Sequence, residues 1–115
     1  MEVHVIPLCI NVKIPKYSLN HILERPPEMK DNLDKVMETL RNPDRVIEEC
    51  RVVNIPKLKA HILLRYYKST KLGPKYVVVI YKIENQRATL LTSYKTSKPK
   101  KLERKGVIIW KKAKF

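Results

Sequence analysis

The chain has 115 residues, 25 Lys and Arg against 11 Asp and Glu, and a formal net charge of +14. That length suits one domain with one modest core. With 43% apolar residues and no run near the roughly 18 uncharged residues of a membrane span, membrane insertion is excluded as an expectation. Cys9 and Cys50 stand far apart and make no disulfide framework, so a cytoplasmic location is expected.

The first 17 residues carry Val and Ile in partial alternation. They lack a basic leader and are read as a strand segment broken at Pro7 and Pro15, not as a signal peptide. Ser18 to Glu24 can form a short helix with Ser18 as its N-cap. Pro27 suits the first position of a second helix, in which Met29, Leu33, Val36, Met37 and Leu40 form one apolar stripe. That helix should stop near Arg41, because Asn42 precedes Pro43, and Asp44 can cap a further turn over Arg45 to Cys50. The period then changes to two. Residues 60–69, 75–83 and 87–95 read as strands of a meander, and Val107 to Trp110 reads as a last strand. Between them runs Thr96–Lys105, read as a mobile basic arm. The expected fold is α+β: N-terminal helices packed on one face of a twisted antiparallel sheet of about four strands. A single domain over 1–115 then divides into a strand segment (1–17), a helical part (18–50) and the sheet (60–112).

Charge divides the chain more sharply than hydropathy does. Residues 1–56 hold 8 basic and 9 acidic side chains, whereas residues 57–115 hold 17 basic ones against Glu84 and Glu103 alone. A solvated surface usually mixes signs, so the second half is read as a polyanion-binding surface, with nucleic acid as the commonest such partner. The loop cations Lys98, Lys100, Lys101 and Arg104 are expected to track the phosphate backbone.

Motifs exclude more than they offer. His4, His21 and His61 are isolated, no ligand spacing suits zinc, and no phosphate loop, dinucleotide fingerprint or nucleophile elbow is present. No cofactor and no metal are expected. What remains is a metal-free polar set: His21, Arg65, Tyr66 or Tyr67, Lys75, Thr92, Ser93, Tyr94 and Lys95. RNA carries its own nucleophile, the 2′-hydroxyl, and such groups can supply proton transfer and cations at the phosphate. Each also has a structural reading. A lone histidine is more often a surface or satisfied core residue, tyrosines favour strands, and strand Thr and Ser are usually inert.

Five segments then follow in order: His21-Ile-Leu-Glu-Arg-Pro-Pro-Glu-Met29, Leu40-Arg-Asn-Pro-Asp-Arg-Val-Ile47, Leu64-Arg-Tyr-Tyr-Lys68, Lys75-Tyr-Val-Val-Val-Ile80 and Leu91-Thr-Ser-Tyr94. This order resembles the phage-associated branch of the Barnase–EndoU–Colicin–RelE nuclease superfamily, over roughly residues 18–110. The resemblance implies a metal-independent endoribonuclease, toxin- or phage-related, that cleaves by 2′-hydroxyl attack and is held by an acidic antitoxin or inhibitor. It makes His21 the acid/base candidate and Arg65 and Lys75 the transition-state cations. Thr92 with Tyr94 would contact the phosphate or a base. Beside that resemblance, Tyr67 and Lys95, with Tyr94, are expected to contact the nucleic acid. The double proline after Arg25 departs from the superfamily's usual single proline. The alternative is a non-catalytic RNA- or DNA-binding module, and what separates the two is whether His21 converges on Arg65, Lys75 and Thr92.

Overall fold

A computed structural model describes residues 1–23, 33–50, 59–68 and 73–113, with the side chains of 21–23 and of Cys50 left out. Its main body is one seven-stranded sheet in the order β1-β2-β6-β5-β4-β3-β7. The strands are β1 (Glu2–Val5), β2 (Ile10–Lys13), β3 (Arg45–Cys50), β4 (Lys59–Tyr67), β5 (Lys75–Glu84), β6 (Arg87–Thr96) and β7 (Val107–Lys111). Helix α1 spans Lys16–Leu23, α2 spans Leu33–Arg41, and a single turn, α3, spans Lys100–Glu103.

The expected architecture is corrected by this topology. The sheet has seven strands, not about four, and it is mixed and curled, not antiparallel. Two features account for the difference. The N-terminal segment folds into a β1–β2 hairpin through a 3-10 turn at Ile6–Leu8, with Cys9 at a φ of 53°. Its second strand then runs parallel to β6, pairing Val12 with Ala88 and Lys13 with Thr89. The segment Arg45–Cys50, expected to be helical, is strand β3 between β4 and β7. Val46 and Ile47 are fully buried on opposite faces of the sheet there, which a short capped turn could not achieve. Asp44 does not cap a helix; its carboxylate accepts the backbone N–H of Tyr66 at 2.8 Å. The helical part at 18–50 is therefore interrupted by strand at its C-terminal end.

Other expectations fit better. The meander β4–β5–β6 is antiparallel throughout, and its second connection is a two-residue turn with Asn85 and Gln86 at φ of 50° and 66°. Helix α2 ends at Arg41, and its Val36 and Leu40 are fully buried. Pro27 and Met29 lie outside the described residues. Helix α1 begins at Lys16, before Ser18. The Ser18 hydroxyl is buried and donates to the Leu90 carbonyl of β6 at 2.9 Å, pinning the helix to the sheet in place of capping it.

The sheet has two unlike faces. The helix face packs Val3, Val5, Val12, Leu63, Val77, Val79, Tyr81 and Leu90 with Val36 and Leu40 of α2. The other face carries a smaller cluster of Ile47, Ile62, Leu64 and Val78, closed by Leu102 of α3. It is called the arm face below.

Candidate nucleic-acid interface

Strand pleat and register decide which side chains meet. Arg65 stands opposite Val77 and Tyr67 opposite Lys75, which places Arg65, Tyr67 and Lys75 on the helix face. Lys95, opposite Val77 from the other side, is on that face too. Thr92 stands opposite Ile80 and Tyr94 opposite Val78, so both are on the arm face. The sheet thus brings Arg65 beside Lys75 and separates both from Thr92. His21 belongs to the last turn of α1, and its side chain lies outside the described residues.

Of the helix-face cations, Arg65 already has structural work. The Arg65 guanidinium donates to the Asn42 carbonyl at 2.5 Å, just past the end of α2, and lies 3.3 Å from the Glu38 carboxylate. A cation there satisfies an orphan carbonyl and suits the negative end of the helix. The Tyr67 hydroxyl donates to Glu38 at 2.5 Å, and the Arg65 guanidinium sits 5.7 Å from the Tyr67 ring centre. Burial, followed by the bond to Glu38, pushes the Tyr67 phenol up to about 12, so it stays protonated at neutral pH. Arg65, Tyr67 and Glu38 together fasten α2 to β4.

The arm face is arranged differently. Tyr66 and Tyr76 are cross-strand partners with ring centres 5.1 Å apart, and Tyr66 is 42% exposed. Tyr94 and Ile80 are half-buried beside them. Thr89, Thr92 and Thr96 stand opposite Lys82, Ile80 and Tyr76, and so run along the same face of β6. The Thr92 hydroxyl is buried without a hydrogen-bond partner among the described residues.

Cations gather at both ends of this strip. Beyond Tyr76, a hollow of about 160 Å³ is lined by Arg45, Lys111 and Lys112 with Asp44. Next to Thr96, a hollow of about 400 Å³ is lined by Ser97, Lys98, Pro99, Lys100, Lys101 and Arg104. At the β5–β6 turn, a third of about 650 Å³ carries Lys13, Lys82 and Arg87 beside Tyr17 and Glu84. The first sixteen residues and β3 thus contribute cations that composition by halves leaves out of view. Alternation in sequence separates Tyr66 from Tyr67; only the register shows that Tyr66 and Tyr76 share one face.

The arm itself is pinned where sequence suggests mobility. Leu102 is buried in the arm-face cluster, Glu103 pairs with Arg45 of β3, and Gly106 abuts the Glu48 carbonyl. Lys98, Lys100, Lys101 and Arg104 remain exposed. The segment is a fixed turn that displays its cations.

One buried polar group stands apart from this strip. His61, read from sequence as an isolated histidine, is buried on the helix face between Glu48 and Tyr81. Its Nδ1 lies 2.7 Å from the Tyr81 hydroxyl and its Nε2 lies 3.4 Å from the Glu48 carboxylate. The neutral tautomer that satisfies all three has Nε2–H donating to Glu48 and the tyrosine O–H donating to Nδ1. Burial lowers the histidine pKa from 6.5; Glu48 opposes that shift and Lys59, which is 3.5 Å from Glu48, adds to it. Burial likewise raises the Tyr81 phenol. The unfolded chain therefore binds a proton at His61 more readily than the native one, and this contribution to stability is complete only above about pH 6.5 and falls as pH drops. Between pH 7 and pH 5 the thermal midpoint should fall, and His61→Gln should flatten that dependence. An unchanged pH profile in the variant would contradict the assignment.

No family model, curated protein or solved structure matches the chain. No helix among the described residues is long and apolar enough to cross a membrane. Among the same residues, no three His, Cys, Asp or Glu side chains gather where they could share a metal ion.

Proposed function

We propose that this protein is a non-catalytic nucleic-acid-binding module that takes a single strand across the arm face. The observation that carries the reading is the Tyr66–Tyr76 pair, with Tyr76 itself lining the cationic hollow at Lys111 and the hollow at Lys98–Arg104 following Thr96, its cross-strand partner. Phosphates would meet the cations while exposed bases stack on tyrosine, which supplies roughly 1–3 kcal/mol per base without selecting its identity. A sheet surface of this kind suits unstacked bases better than a duplex, whose edges lie within grooves.

Cleavage by 2′-hydroxyl attack, the reading implied by the nuclease resemblance, needs an acid/base group and cations around one phosphate. The separation of Thr92 from Arg65 and Lys75, and the bonds holding Arg65 to α2, favour binding over that chemistry.

The test is binding of a labelled single-stranded RNA in EDTA over a range of salt. With about five phosphate contacts, log Kd should change with log salt with a slope near 3–5 in magnitude. The RNA should be recovered intact. A flat salt dependence would remove the electrostatic basis, and products ending in a 2′,3′-cyclic phosphate would establish cleavage.

A further inference from the structure

We propose that the outer edge of β7 docks an acidic, extended segment of a partner protein, which adds to the sheet as an eighth strand. It rests on the free edge of β7 and not on the nucleic-acid reading, although Lys111 and Lys112 serve both. Strand β7 is the last strand of the sheet, so beyond β3 it has no neighbour among the described residues. Its sequence is Val-Ile-Ile-Trp-Lys, and Val107, Ile108 and Ile109 are 69%, 42% and 40% exposed. Three consecutive exposed β-branched residues suit a strand that is completed by pairing. Unpaired edges in soluble proteins are normally blunted by inward charges, proline or shortness. Here the register shift against β3 bends the strand, yet no charge interrupts the apolar run.

Charge selects the occupant. Lys105 precedes the strand and Lys111 and Lys112 follow its apolar part, with no carboxylate within β7 itself. Lys111 and Lys112 also line the hollow beside Tyr76. A second copy is the poorer fit. Antiparallel pairing about Ile109 would bring Lys111 and Lys112 of each copy beside Lys105 of the other, and would join two chains of +14. An acidic strand would instead gain ladder hydrogen bonds, apolar contact with Val107 and Ile109, and opposite charge at both ends.

Trp110 is the chain's single tryptophan and lies within β7, so its fluorescence reads this edge directly. The probe is a ten-residue peptide of alternating Val and Glu, titrated into the full chain. A second peptide of identical sequence carries N-methyl groups on every backbone amide, which preserves its charge and removes the ladder donors from both of its edges. The acidic peptide should bind saturably at one to one, and N-methylation should weaken it at least tenfold. Ile109→Asp should weaken it similarly, with the fold checked by circular dichroism. Equal affinity of the two peptides would mean mere charge attraction and would overturn the proposal, as would failure of the unmodified peptide to bind. Self-association of the free chain in sedimentation at the same concentration would give the edge to a second copy and overturn it too.

Discussion

Replacing Lys98, Lys100, Lys101 and Arg104 together with Ser should weaken single-strand binding on the order of 100-fold at 0.15 M salt. Each phosphate contact on a single strand adds about 0.7 to the log–log salt slope. Relative to 1 M salt, four such contacts at 0.15 M multiply to roughly that factor, and their loss should flatten the slope by about 3. The fold should persist, because the four side chains are exposed while the turn is held by Leu102 and by Glu103 on Arg45. Thermal midpoints within a few degrees of each other, together with the lost affinity, would place these cations on the ligand. Unchanged affinity in a folded variant would remove the arm from the interface.

A larger effect on stability is expected from Gly106→Ala. A Cβ at this position would stand 2.1 Å from the Glu48 carbonyl oxygen and 2.8 Å from its carbon. Both are backbone atoms of β3, a strand paired on both sides, so no flexible side chain can yield. The chain must either spread β3 from β7 or move α3 off the arm face. Overpacking against fixed backbone costs roughly 1–3 kcal/mol, which for a domain of this size lowers the midpoint by about 5–15 °C. Trp110 should report the change before the rest of the sheet melts, since β7 is the strand displaced. A midpoint unchanged within 2 °C would show that β3 and β7 tolerate separation at Gly106.

These two residue sets differ in how far they could be read from sequence. The cations of the arm are legible as a run between two strands, and alternation makes β4, β5 and β6 recognisable because one face of each is buried. Faces within a strand are legible, but their match between strands is not. Arg65 and Thr92 fall on opposite sides because of register, a non-local property. The pairing of Val12 with Ala88 spans most of the chain and leaves no local mark on either segment. Strand β3 was obscured by Asp44-Arg-Val-Ile-Glu-Glu, where a capping residue and two glutamates imitate a helix start. Burial of Val46 and Ile47 between two partner strands outweighs that local preference. The close approach of Gly106 to Glu48 is likewise invisible in a sequence, where the glycine looks like ordinary loop punctuation.

The assignment of the arm face is tested most directly by the ring resonances of the six tyrosines as a single-stranded oligonucleotide is added. Tyr66, Tyr76 and Tyr94 lie on the arm face, Tyr67 and Tyr81 on the helix face, and Tyr17 on α1. The first three should shift saturably with a common affinity, while Tyr67 and Tyr81 hold their positions. Shifts led by Tyr67, or none at any tyrosine while the oligonucleotide binds, would contradict recognition across this face.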